Sequence, residues 1–168
     1  IANSPASMAL WSSEAMRQRS EMPKDIQDIL NKHEKAGTYG APEYKRATNW
    51  VYERHVCRIV PFPPEVIASF DQIERNPTVY HTMNGPNEFF VVGTLKNWNI
   101  IPELHKINVP TLIISGHHDE ATRACVQPYA DNIKGSRWVI FEKSSHMPHV
   151  EEKELCMKTV GDFLDASD

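Results

Sequence analysis

The 168-residue sequence predicts an α/β fold built on a parallel sheet, with a block of helices inserted ahead of it. Three observations carry that expectation. Residues 109–116, Val-Pro-Thr-Leu-Ile-Ile-Ser-Gly, are an apolar run without alternation, the signature of a strand buried on both faces. A second short run, Arg137-Trp138-Val139-Ile140-Phe141, follows after a helix-like stretch, the spacing of a parallel strand pair. Residues 8–74 hold only helical patterns punctuated by prolines.

Residues 1–7 read as the end of a core strand running into turn residues. Helices are expected over 8–19 and 24–36. In the second, Ile26, Ile29, Leu30 and His33 fall at helical spacing, Pro23 sits at the entry and Gly37 at the stop. A third helix over 41–57 opens at Pro42, with Tyr44, Ala47, Trp50 or Val51 and Arg54 on neighbouring turns. Pro61, Pro63 and Pro64 then lead into a shorter helix over 64–74. With no strand inside it, this stretch and the loop-like segment 76–98 are read as a cap domain with its connecting loop, residues 8–98.

The remaining segment, 99–168, reads as core. It holds a short helix over 100–106, the first strand, a helix over 122–133 closed by Gly135, and the second strand. A terminal helix over 151–164 is expected to turn Leu155, Val160, Phe163 and Leu164 inward. Two strands, or three with the stub at Ile1, cannot shield both faces and both edges of a parallel sheet, so further strands are expected ahead of Ile1. Ile1 in place of an initiating Met predicts the same.

Composition narrows the function classes. A hydrophobic content of 40% and a charged content of 24% are ordinary for a globular domain. Net charge is −4 and no long basic run occurs, which argues against nucleic acid as a partner. The apolar runs are far short of a bilayer span, so no membrane association is expected. Cys57, Cys125 and Cys156 are odd in number and widely spaced, which predicts reduced, packed thiols and a cytoplasmic location.

Chemistry concentrates in two segments near the C-terminus. They are Gly116-His117-His118-Asp119-Glu120-Ala121-Thr122 and Ser144-Ser145-His146-Met147-Pro148-His149, with Asp119 and His146 27 residues apart. Each follows a predicted strand, where open α/β sheets place their catalytic groups. A carboxylate there can fix an imidazole's tautomer, and the imidazole can act as general base and then general acid. Taken alone, Asp119 reads more readily as a helix cap and His146 as a packed or surface histidine. The order acid, helix, strand, histidine is that of a serine-hydrolase triad, and it favours the catalytic reading. No Gly-x-Ser-x-Gly occurs in the sequence, and Ser144 and Ser145 read as turn residues. His117, His118, Asp119, His146 and His149 resemble a metal-ligand set, but no His-Glu-x-x-His spacing supports it. No metal and no cofactor are expected.

The segments around Asp119 and His146, together with Gly85-Pro86-Asn87-Glu88-Phe89 and Gly93-Thr94-Leu95-Lys96-Asn97-Trp98, resemble the proline iminopeptidase (prolyl aminopeptidase) family of α/β-hydrolases. The resemblance covers essentially the whole chain. It implies the C-terminal portion of an α/β-hydrolase fold with a helical cap insertion, the N-terminal strands and nucleophile elbow missing. By the same resemblance Asp119 is the triad acid, His146 the triad base, and Glu88 and Glu120 hold the substrate's free α-amino group. The implied substrate is a small peptide or amino-acid amide with a free N-terminus, with proline the expected residue released. The N-terminal half of the fold is the implied partner, and the isolated chain is expected to be inactive. Phe89, Phe90 and Trp98 are candidate apolar walls of the pocket. Arg123 departs from the family, which often has proline after Asp-Glu-Ala-Thr, and the His-Gly-Gly-Pro oxyanion loop is absent. An amidase or esterase of the same fold, a non-catalytic binding fragment and a split enzyme remain as alternatives.

Overall fold

The computed structural model describes residues 4–166, so part of the predicted stub 1–7 lies outside the described residues. Its described end runs antiparallel to residues 98–100. Ser7 bridges Asn99, the Met8 amide donates to the Trp98 carbonyl at 2.9 Å, and the Ile100 amide to the Ala6 carbonyl at 3.0 Å. Helix α1 (Met8–Ser20) starts where the Ser7 hydroxyl accepts from the Leu10 amide at 3.3 Å. Helix α2 (Lys24–Ala36) stops at Gly37, whose φ of 66° only glycine adopts freely. Helices α3 (Pro42–His55) and α4 (Pro64–Arg75) both open on proline, whose missing N–H is harmless there.

The segment expected to be loop holds α5 (Thr78–Met83) and a 3₁₀ turn, Thr94–Asn97. Neither is long enough to show a period in sequence. A second 3₁₀ turn, Ile101–Lys106, stands where the short helix was expected. Strand β1 (Leu112–Gly116) is followed by α6 (Arg123–Asn132), β2 (Arg137–Phe141), α7 (Pro148–Glu151) and α8 (Lys153–Asp165). The two strands pair in parallel, from Leu112 opposite Arg137 to Gly116 opposite Phe141.

Strand β1 is buried on both faces, as its unbroken apolar run requires. Ile113 packs on one face with Trp11 of α1 and with Cys125, Val126 and Tyr129 of α6. Leu112 and Ile114 pack on the other with Phe141 and with Cys156, Val160 and Phe163 of α8. Each such aliphatic side chain contributes about 1.5–3 kcal/mol by leaving water. A separate cluster, Met22, Leu30, Tyr44, Ala47 and Val51, joins α2 to α3.

The terminal helix differs from expectation in two ways. It breaks at Glu152 (φ −127°, ψ 50°), because the Glu151 and Glu152 carboxylates turn back onto the loop before them. Its inward stripe is Cys156, Thr159, Val160 and Phe163, while Leu155 and Leu164 are 52% and 55% exposed. Among the described residues, no helix is long and apolar enough to cross a membrane.

Candidate active site

The two strand ends and the loops beyond them are tied together by main chain. The His117 amide donates to the Phe141 carbonyl at 2.9 Å and the His118 amide to the Ser144 carbonyl at 3.0 Å. Gly116 permits this approach: a Cβ there would lie 2.0 Å from the Ser145 carbonyl oxygen. Asp119 is thereby placed with its side chain wholly out of solvent. Its Oδ1 accepts from the Ala121 amide at 2.8 Å and faces His146 Nδ1 at 3.0 Å. Asp119 Oδ2 is buried and accepts no hydrogen bond from the described residues.

The Asp119–His146 bond fixes Nδ1 as the protonated nitrogen and leaves Nε2 as the acceptor of a neutral ring. Burial disfavours charge on His146. The Asp119 hydrogen bond and charge, with Glu120 and Glu88 nearby, outweigh it and push the imidazole up to about 9. The folded state therefore binds this proton more tightly than an unfolded chain with an ordinary value of 6.5. Its contribution to stability is complete below pH 6.5 and is lost as pH rises through about 9. Denaturant titrations at pH 6 and pH 9.5 are expected to show that loss, and His146→Gln should flatten the slope. An equal slope in the variant would refute the assignment.

Two acids not picked out from the sequence hold the histidine loop. Glu151 accepts from the Ser145 amide at 2.8 Å, the Ser145 hydroxyl at 2.9 Å and the Met147 amide at 3.2 Å. Glu152 accepts from the Ser144 hydroxyl at 2.6 Å and the Lys143 amide at 3.0 Å. Ser144 and Ser145 are fully buried and serve this turn. The only sequence signal was a pair of acids in the first turns after Pro148.

Glu120 is buried beside Asp119, and neither of its carboxylate oxygens has a hydrogen-bond partner among the described residues. Burial first, then the charges of Glu88 and Asp119, raise its pKa well above the usual carboxylate range, with His146 opposing. Glu88 is fixed at three points. Its carbonyl accepts from Trp11 Nε1 at 2.7 Å, its amide approaches the Tyr52 hydroxyl at 3.4 Å, and its Oε1 accepts from the Tyr80 hydroxyl at 2.8 Å. Burial, reinforced by the Glu88 charge, keeps both tyrosines protonated. The loop carrying Glu88 is anchored by Asn87, whose Nδ2 donates to the Tyr44 hydroxyl at 2.6 Å. Tyr52, Tyr80 and Trp11 escaped the sequence reading because nothing in their spacing marks a shared partner.

A cleft of about 1160 Å³ runs between α3, α4 and the Glu88 loop, bordered by Tyr52, Phe62, Phe70, Tyr80 and Glu88. Glu88 lines it, whereas Asp119, Glu120 and His146 do not. Phe89 packs edge-on to Tyr52 at 6.3 Å, whereas Phe90 stands against Tyr39 and Trp98 is 38% exposed at the surface. The His117 and His118 rings meet edge-on at 4.8 Å, but the histidines do not gather into one set. His117 pairs with Glu142 at 2.9 Å and His149 is exposed, and among the described residues no three His, Cys, Asp or Glu side chains are arranged to hold a metal. Cys125 is buried in α6, and burial pushes its thiol up to about 11, unlike a nucleophile's.

No protein-family model matches the chain. It is 42% identical over 152 residues to a proline iminopeptidase of Saccharolobus solfataricus, covering 90% of this chain and 49% of that protein. It is 33% identical over 165 residues to a proline iminopeptidase of Thermoplasma volcanium, covering 98% and 56%. Among solved structures it matches VinJ (TM-score 0.96, 47% identity) over 98% of this chain and 55% of that one. It also matches proline iminopeptidase from Mycobacterium smegmatis (TM-score 0.89, 47% identity) over 99% and 56%. A thermophilic esterase at 16% identity and TM-score 0.57 shares the fold alone. The chain spans about half the length of the curated relatives it matches.

Parallel strands ending in an acid and a histidine, beside a block of helices, define the C-terminal portion of an α/β-hydrolase. Within that class the chain belongs to the proline iminopeptidase family.

Proposed function

We propose that the chain supplies the acid, the base and the amine-binding carboxylates of a serine-type aminopeptidase that releases an N-terminal residue, with proline preferred, from peptides or amides. The observation carrying this reading is the placement of Glu120, buried with both carboxylate oxygens unpaired among the described residues, next to Glu88 and the Asp119–His146 pair. A substrate ammonium would give these oxygens charge-assisted donors. An esterase substrate has no such group to offer.

In this reading residues 8–98 act as the cap and 99–168 as the end of the core. The serine comes from the N-terminal half of the fold, since these 168 residues hold no Gly-x-Ser-x-Gly. In its neutral form His146 takes the proton on Nε2 as the serine oxygen attacks the carbonyl carbon. The C–N bond then breaks and the same proton goes to the leaving amine. Water repeats the cycle on the acyl-enzyme, with Asp119 holding the ring and its positive charge throughout. We infer a cytoplasmic setting from three buried, unpaired thiols.

Calorimetric titration of the chain is the test. Prolinamide is expected to bind at least about tenfold more tightly than N-acetylprolinamide, because acetylation removes the charge. The chain alone is expected to leave a fluorogenic prolyl amide intact. Equal binding of the two ligands would sink the amine-clamp reading. Turnover abolished by His146→Ala would overturn the expected inactivity.

A further inference from the structure

We propose that His55, the last residue of α3, is a positioning residue that holds the Asp119 and His146 loops in register from the helical insertion. Its main-chain carbonyl accepts two hydrogen bonds from outside the helix, from the Glu120 amide and from the His146 amide, each at 3.2 Å. The final carbonyls of an α-helix have no intrahelical donors, so this one is free to receive both. Its ring Nδ1 lies 3.0 Å from the His118 carbonyl, to which it donates. One residue thus grips positions 118, 120 and 146, on either side of Asp119 and at His146 itself.

Its surroundings support the assignment. One turn earlier on α3, the Tyr52 hydroxyl meets the Glu88 amide at 3.4 Å. Three residues later, the Arg58 amide donates to Glu151 at 2.8 Å and its guanidinium to the Lys143 carbonyl at 3.2 Å. Residues 52–58 therefore touch the Glu88 loop and both strand-end loops. Burial holds the His55 ring below the usual imidazole range against the pull of the His118 carbonyl, so it stays a neutral Nδ1–H donor. The proposal rests on the Asp119–His146 pair described above. Its test reads the pair's titration and not turnover, so its failure is distinguishable from failure of the aminopeptidase reading.

The experiment is nitrogen-15 NMR of the histidine rings in the chain, in wild type, His55→Leu and His55→Asn. In wild type, His55 is expected as the Nδ1–H tautomer, and His146 should titrate near 9. His55→Leu removes the ring's bond to the His118 carbonyl and leaves the two main-chain bonds in place, and the His146 midpoint should fall below its wild-type value. His55→Asn puts an amide N–H near the position of Nδ1 and should restore the high midpoint. An unchanged midpoint in a folded leucine variant, or an equal fall in the asparagine variant, overturns the proposal. So does an Nε2–H tautomer at His55, a readout that needs no variant to fold.

Discussion

Glu120→Gln is expected to make the chain more stable and, at the same time, to cost it about 100-fold in affinity for an ammonium ligand. The stability gain follows from burial. Both oxygens of Glu120 are buried without donors among the described residues, close to Glu88 and Asp119, so ionising it in the folded state is unfavourable. In the unfolded chain it ionises near 4.5, well below its folded value. Each step in pH above 4.5 therefore favours unfolding, and a glutamine of the same shape removes that drive. A gain of about 1–2 kcal/mol at pH 8, absent at pH 4.5, is the expected result of denaturant titrations. The affinity loss follows from the same group. A buried carboxylate accepting from an ammonium is worth about 3 kcal/mol, or roughly 100-fold in prolinamide binding. Such a trade between stability and function is common at binding sites. A variant less stable at pH 8, or one binding prolinamide as tightly, would show that Glu120 has a different task.

Gly116→Ala is expected to cost about 3 kcal/mol or more and to undo the site. The added carbon would stand 2.0 Å from the Ser145 carbonyl oxygen and 2.5 Å from that of Ser144. Both are main-chain atoms of a loop pinned by Glu151 and Glu152, so neither can yield as a flexible side chain would. If the loop moves, the His118–Ser144 bond breaks and His146 withdraws from Asp119. The imidazole midpoint should then fall from about 9 towards 6.5. Gly161 of α8 is the control, because a Cβ there meets nothing within 4 Å. Gly161→Ala should stabilise by about 0.5–1 kcal/mol through helix propensity. Equal thermal midpoints for the two variants would contradict the steric account.

The sequence was most legible where one local pattern carried the whole signal. Strand β1 is a run of adjacent apolar residues because each of its faces meets its own helix layer. Helix α2 shows its stripe because Ile26, Ile29 and Leu30 share one cluster with Tyr44, Ala47 and Val51 of α3. Asp119 and His146 could be paired on paper because parallel strands bring equivalent ends to the same edge. The supports of the site were invisible for the opposite reason. His55 reaches His118 across 63 residues and Arg58 reaches Glu151 across 93, and no spacing rule encodes such contacts. The sequence points Leu155 and Leu164 inward because α8 is apolar enough to suggest a broad stripe. Its real one is narrow, and Thr159 occupies a place in it.

The three cysteines give the molecule a set of internal clocks. Cys57 lies two residues beyond the end of α3, Cys125 on the buried face of α6 and Cys156 on that of α8, and all three thiols are free and buried. A thiol reagent can reach each only when its own surroundings open. Labelling rates under native conditions would therefore time three separate openings in one sample. The rate at Cys57 follows the junction where the inserted helices rejoin the strand-end loops. The other two follow the helix layers on either face of the sheet. If the rate at Cys57 alone quickens, that junction has loosened while the sheet beneath it stays closed.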